Sequence, residues 1–253
     1  MIQMFIFNLV ALLISPMAKA KPVVFVITNQ SSFEVDGKTK STGVWLSEFT
    51  KPYYTLKDAG VEVELASLNG GRPPIDPRSL SGLSDTEQKY NNRFINDRDL
   101  QISFSNTKEL KNLKPNNYDA IVFPGGHGPM FDLAKSKVSQ TFTRKVYENG
   151  GLVGAICHGP AALVDVQLSD GKYLLDGVSA TGFTNSEEIA VKLDKEMPFL
   201  LETRMRKRGA KFQSAKENFN PKVVADGRIV TAQNPPSAIE FGKTLVSKLK
   251  AAK

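Results

Sequence analysis

The chain is 253 residues long, with 33 Lys and Arg against 26 Asp and Glu and a formal net charge of +7. Its basic residues are scattered, apart from Arg204-Met205-Arg206-Lys207-Arg208, and no aromatic interleaving or binding motif accompanies them, which argues against a nucleic-acid partner. One cysteine and two histidines exclude an internal disulfide and, lacking Cys-x-x-Cys or His-x-x-x-His spacing, form no recognisable metal-ligand set.

Met4 to Ile14 is an apolar run, followed by Ser15-Pro16 and Ala18-Lys19-Ala20. The pattern is that of a secretory signal with an Ala-x-Ala cleavage site, although its start carries no Lys or Arg. It is short for a membrane span, which needs about 20 apolar residues. We therefore expect residues 1–20 to be a signal peptide, the protein to be exported, and no stable membrane insertion after cleavage. An uncleaved N-terminal anchor is the alternative. Residues 21–253 suit one large α/β domain with small cap insertions.

Lys21 to Thr28 reads as a central parallel strand, Asn29 to Thr42 as a polar loop, and Val44 to Ala59 as a helix that Pro52 should kink or divide. Val61 to Ala66 alternates as a second strand, and Asn69 to Ser81, with three prolines, is a loop. Ala120 to Phe123 is a strand that breaks at Pro124-Gly125-Gly126-His127-Gly128-Pro129, and Val138 to Asn149 a helix. Leu152 to Ile156 is a buried strand, with a helix opening at Gly159-Pro160. Farther on come a short strand over Val178 to Thr181 and helices over Asn185 to Leu193 and from Met197 to Arg208. A hairpin turns at Asp226-Gly227, and a terminal helix runs from Pro235 to about Leu249. This alternation predicts an α/β fold, a doubly wound and mostly parallel sheet sandwiched by helices, with ligands at the carboxyl ends of its strands.

The single cysteine stands beside a histidine in Ala155-Ile156-Cys157-His158-Gly159-Pro160, on the expected strand-to-helix elbow. A helix N-terminus there would favour the thiolate. A lone cysteine is most often a small buried hydrophobe. Adjacent residues on a regular helix point about 100° apart, so only a sharp elbow brings Cys157 and His158 to one site. A histidine in that role needs a carboxylate on its far nitrogen. Glu187 and Glu188 are the candidates, although Asn185-Ser186-Glu187-Glu188 also fits a helix start capped by Asn185, with Glu188 reaching back. Glu48, among Trp45 and Phe49, could have a raised pKa and share a proton with the thiol. Gly125 and Gly126 leave backbone N–H groups free to hold an oxyanion. His127 reads as a ligand, a substrate contact or a turn residue.

Gly43-x-Trp45-x-x-Glu48-x-x-x-Pro52, Tyr118-Asp119-Ala120-Ile121-Val122-Phe123-Pro124-Gly125-Gly126-His127-Gly128 and Ala155-Ile156-Cys157-His158-Gly159-Pro160 together resemble the DJ-one/PfpI superfamily. Thr181-Gly182-Phe183-Thr184-Asn185-x-Glu187-Glu188, Met197-Pro198-Phe199-Leu200-Leu201-Glu202 and Thr231-Ala232-Gln233-Asn234-Pro235 are similar to its branch of small heat-shock chaperones and glutathione-independent glyoxalases. The resemblance implies a flavodoxin-like, class I glutamine amidotransferase-like fold. It implies Cys157 as nucleophile, Glu48 as its carboxylic partner, His158 as general acid/base and Glu188, or else Glu187, as the group orienting His158. Gly126 and the His158 N–H would form the oxyanion hole, with Gly125 and His127 beside the substrate. The implied substrate is a small dicarbonyl, methylglyoxal or glyoxal, converted with no cofactor. Relatives are commonly homodimers, which leaves a homodimer open as the assembly. A holding chaperone with a redox-sensing cysteine and a cysteine amidase or peptidase are the alternative functions on the same fold.

Overall fold

The protein is described from a computed structural model, over residues 20–252. The expected signal segment therefore lies, but for Ala20, outside the described residues. The strands are β1 (Val23–Ile27), β2 (Ser32–Val35), β3 (Lys38–Ser41), β4 (Val63–Ser67), β5 (Lys108–Glu109), β6 (Ala120–Phe123), β7 (Leu152–Ile156), β8 (Ser179–Ala180), β9 (Lys211–Phe212), β10 (Val223–Asp226) and β11 (Ile229–Ala232). The α-helices are α1 (Leu46–Asp58), α2 (Asp85–Asn96), α3 (Arg98–Ser105), α4 (Lys137–Glu148), α5 (Asn185–Ala190), α6 (Leu201–Lys207) and α7 (Ala238–Ala251). No helix among the described residues is long and apolar enough to cross a membrane.

Seven strands form one sheet in the order β10-β11-β7-β6-β1-β4-β5, parallel except where β10 meets β11. Every residue of β1, β6 and β7 is buried, as their continuous apolar runs require of strands covered on both faces. Two glycines show how the layers close. A Cβ at Gly154 would stand 2.9 Å from Leu245 Cδ2 on α7, and one at Gly151 would stand 2.6 Å from Val146 Cγ1 on α4. Gly154 lies within β7 and Gly151 directly precedes it, so α7 and α4 both close on this strand. This is the expected doubly wound sheet with helices on both sides.

The structure departs from the sequence reading in five places. The loop 29–42 contains a β2–β3 hairpin whose turn residues Asp36 and Gly37 both have positive φ, the Asp-Gly signal of a tight hairpin turn. Two helices, α2 and α3, occupy a stretch to which the sequence reading assigned no element. Ser84 and Glu87 form a capping box on α2, and Asp97 caps α3. Pro52 does not divide α1, because ten of its thirteen residues are buried. Helix α7 also approaches so closely that a Cβ at Gly242 would stand 3.0 Å from Pro52 Cα. After Cys157 there is a four-residue 3-10 turn, Gly159–Ala162, in place of an α-helix. Finally, the one clustered basic run, Arg204–Arg208, is not a freely solvated face, because its arginines are tied down by their neighbours. Arg204 and Arg208 pair with Asp165 and Arg206 with Glu202, and all three stack on the rings of Phe199, Tyr173 or Phe212.

Candidate active site

Cys157 directly follows β7, at the carboxyl end of the sheet. Its φ of 60° is left-handed, a conformation that costs a non-glycine residue on the order of 1 kcal/mol or more and needs its surroundings to hold it. Both its backbone groups are tied: the N–H donates to Ala232 O at 2.9 Å, and the C=O accepts from Phe183 N–H at 2.9 Å. Gly159 completes the elbow, since a Cβ there would collide with Phe123 O. This turn brings the side chains of two adjacent residues together, with His158 Nδ1 3.3 Å from Cys157 Sγ.

The far nitrogen of His158 meets a carboxylate. His158 Nε2 lies 2.7 Å from Glu188 Oε2, and His127 Nε2 lies 2.9 Å from Glu188 Oε1. The choice between Glu187 and Glu188 is made by the helix cap. Thr184, rather than the expected Asn185, is the N-cap of α5, which makes Glu187 the third helical residue and puts it in the capping box. Glu187 Oε2 accepts from Thr184 N–H and Oγ1, and its Oε1 accepts from Phe219 N–H and Asn234 Nδ2. With Glu187 occupied, Glu188, the next residue around the helix, faces the two histidines. Burial opposes its ionisation, but His158 and then His127 more than offset that and hold it well below the usual carboxylate range.

Glu48 approaches the sulfur from α1 and is completely buried. Backbone contacts set its helix against the glycine turn. Trp45 N–H donates to Gly125 O at 3.0 Å, and Gly126, at φ 93°, lies so near Gly43 and Trp45 that no Cβ fits. A Cβ at Gly125 would collide with Glu48 Oε2 and stand 2.6 Å from Cys157 Cβ, so glycine there is what lets the carboxyl and the cysteine meet. Among the described residues neither Glu48 oxygen has a well-aligned hydrogen-bond partner. The Cys157 thiol is nevertheless close enough to stabilise its charge. Burial raises the Glu48 pKa to about 8, with Cys157 and Lys51 opposing and Glu87 and Glu187 adding to the rise.

The Cys157 thiol is not activated as the sequence suggests. Burial pushes its pKa well up and Glu48 pushes it further, with the Gly126 N–H opposing. The helix expected to favour the thiolate is absent. Burial thus favours the protonated form of both the thiol and the Glu48 carboxyl, so a proton would have to leave the sulfur for it to react. His158 Nδ1 is placed to take it. The His158 N–H has no protein acceptor among the described residues and the Gly126 N–H lies against the sulfur, so both border the place where an oxyanion would develop.

Cys157, His158, Glu48 and Glu188 thus converge, with Gly125 and Gly126 beside them. His127 does not face the sulfur: its nitrogens are engaged by Glu188 and by Arg78 Nη2, 3.0 Å from Nδ1. Asp76 and Arg78 are absent from the sequence reading because they lie in a proline-rich loop with no local motif. His127, His158 and Glu188 do place three potential ligand atoms within 4.8 Å of one another, a cluster that local spacing could not reveal. Both Glu188 oxygens already accept from the imidazoles, and a guanidinium lies against His127, so the set has the chemistry of a proton relay.

Cys157 is 5% exposed and His158 wholly buried, with the Phe183 ring 4.6 Å from that of His158. A reactant reaching Sγ must be small. The 750 Å³ cavity lined by Lys21, Asp119, Leu152, Arg228 and Lys248 lies at the opposite, amino-terminal end of the strands.

One of the conditions set by burial is testable directly. Between pH 4.5 and about 8 folded Glu48 keeps a proton that the unfolded chain has released, so its contribution to stability is present below pH 4.5 and is lost as pH rises through 8. Glu48→Gln is expected to stabilise the protein increasingly across that window, by up to about 1.4 kcal/mol per pH unit, while lowering turnover at the cysteine. Denaturant melts at pH 5 and pH 8 measure it, and equal stability changes at the two pH values would refute it.

The family model described as "DJ-1/PfpI family" matches residues 41–248. The glutathione-independent glyoxalase hsp3102 of Schizosaccharomyces pombe is 34% identical over 252 residues, covering 92% of this chain and 99% of that protein. The crystal structure of glyoxalase III from Candida albicans superposes with a TM-score of 0.80 at 29% identity, over 90% of this chain and 97% of that one. The X-ray structure of the Francisella tularensis Rapid Encystment Protein 24 kDa superposes with a TM-score of 0.83 at 37% identity, over 90% and 99%.

Proposed function

This chain belongs to the DJ-1/PfpI family, and we propose that it acts as a glutathione-independent glyoxalase, converting methylglyoxal to D-lactate and so removing a reactive carbonyl. One observation carries this reading: a single thiol on a left-handed elbow, with His158 Nδ1 at 3.3 Å and the buried Glu48 carboxyl also against it. The glyoxalase names of the relatives, which align along nearly their whole length, support it.

In this reaction the sulfur adds to the aldehyde carbon as its proton passes to His158 Nδ1. The ionised Glu188 stabilises the imidazolium that results. The hemithioacetal oxyanion is held by the Gly126 and His158 N–H groups. The oxyanion then takes the proton back from His158, which frees the imidazole to carry the hydrogen of the former aldehyde carbon, as a proton, to the neighbouring carbon through an enediol, while Glu48 gives its proton to the neighbouring carbonyl oxygen and recovers one from the hydroxyl of the former aldehyde carbon. One carbon is oxidised and its neighbour reduced, so no external redox partner enters the balance. Water hydrolyses the thioester that forms, giving lactate and restoring the thiol.

The purified protein is expected to form D-lactate from methylglyoxal with no glutathione present. Loss of methylglyoxal without stoichiometric lactate would reject the reading. The apolar start and Ala18-Lys19-Ala20 further support export. N-terminal sequencing of protein recovered outside the cytoplasm is expected to begin at Lys21, and a chain that keeps Met1 would refute cleavage.

A further inference from the structure

The histidine outside the reacting pair has both ring nitrogens engaged, and the partners dictate where its proton sits. A guanidinium can only donate. Because Arg78 Nη2 lies 3.0 Å from His127 Nδ1, Nδ1 is the acceptor and carries no hydrogen. The proton of the neutral ring is therefore on Nε2, from which it donates to Glu188 Oε1 at 2.9 Å. Arg78 is itself fixed. Its Nε donates to Asp76 Oδ1 at 2.9 Å and its Nη2 to Asp76 Oδ2, while Asp76 is fully buried and accepts from Thr42 Oγ1 at 3.1 Å. The fork shape of the guanidinium lets a single Nη2 serve both Asp76 and His127.

We infer that Arg78 is a positioning residue for the proposed reaction: by locking His127 as an Nε2–H donor it pins one oxygen of Glu188 and turns the other to His158. The inference rests on the glyoxalase reading for its consequence but not for its geometry.

The charged and titratable groups facing His127 are Arg78 at Nδ1, Glu188 at Nε2 and His158, whose ring centroid is 4.1 Å away. Burial lowers the His127 pKa to about 4, with His158 and Arg78 lowering it and Glu188 opposing. The ring thus stays neutral through the working range. Removing Arg78 removes a cation and the only donor to Nδ1 among the described residues, so a proton can settle on that nitrogen. A charged His127 would then share Glu188 with His158 and weaken the stabilisation of the His158 imidazolium.

With only two histidines in the chain, imidazole nitrogen NMR of the full protein resolves both rings. In the wild type at pH 7 both Nε2 atoms are expected to carry hydrogen and both Nδ1 atoms to be bare. In Arg78→Met the His127 Nδ1 resonance is expected to move toward its protonated position and to titrate at higher pH, with Arg78→Lys restoring the wild-type pattern. Turnover of methylglyoxal by Arg78→Met should fall about tenfold more at pH 6 than at pH 8. Unchanged His127 resonances in a folded Arg78→Met, or a wild-type His127 protonated on Nδ1, would overturn the inference. If Arg78→Met does not fold, the wild-type spectrum alone decides the tautomer. An inactive wild type with the expected resonances would reject the glyoxalase reading and leave the positioning intact.

Discussion

Cys157→Ala is expected to leave no measurable turnover of methylglyoxal in a protein that remains folded. The chain has no second cysteine, so no other thiol can form the covalent intermediate. Alanine occupies the left-handed conformation at Cys157 at a cost similar to that of cysteine, and the hydrogen bonds to Ala232 and from Phe183 are backbone bonds that survive the change. Burial is nearly complete at this position, so losing the sulfur costs stability no more than about 1–2 kcal/mol. Glu48 also loses the thiol whose contact lowers its pKa and should hold its proton to a still higher pH. Lactate formation and thermal melts measure both effects. Turnover within tenfold of the wild type would remove the covalent step from the mechanism.

Glu188→Gln is expected to reduce kcat by about 10³–10⁴-fold with KM little changed. The carboxylate accepts from two Nε2–H groups at once, whereas a carboxamide offers one acceptor oxygen and one donor nitrogen. One histidine must therefore present a bare Nε2. His127 resists, because the proton it would then carry on Nδ1 points at the Arg78 guanidinium. His158 is the ring that yields, and with its hydrogen on Nδ1 it can no longer accept the thiol proton. The loss thus comes from a tautomer as well as from a charge. Glu187→Gln provides the contrast. Its four accepted hydrogen bonds hold the cap of α5 and the segment at Phe219 and Asn234, so the expected cost is a few kcal/mol of stability and less than tenfold in turnover. Equal losses of activity in the two variants would show that the cap, and not the charge at Glu188, is what turnover depends on.

The elements that the sequence displayed plainly were those whose burial pattern is local. The strands Val23–Ile27, Ala120–Phe123 and Leu152–Ile156 are apolar along their whole length because helices cover both faces. The elements it hid were marked by capping and turn chemistry instead. Ser84 with Glu87 and Asp36 with Gly37 are short polar signals without a strong apolar stripe beside them. The same holds at the site, where the one-residue shift of the cap from Asn185 to Thr184 separates Glu187 from Glu188. Spacing alone allowed either.

By itself the sequence determined the sheet's central strands and the elbow that sets Cys157 beside His158, because strand burial and glycine turns are written in neighbouring residues. Tertiary structure alone decided the burial of the thiol, the contact of Glu188 rather than Glu187 with the two histidines, and the enrolment of Asp76 and Arg78. Those depend on desolvation and on hydrogen bonds between residues as many as 61 positions apart. Such bonds have direction, and direction is not present in a one-dimensional string until the chain has folded.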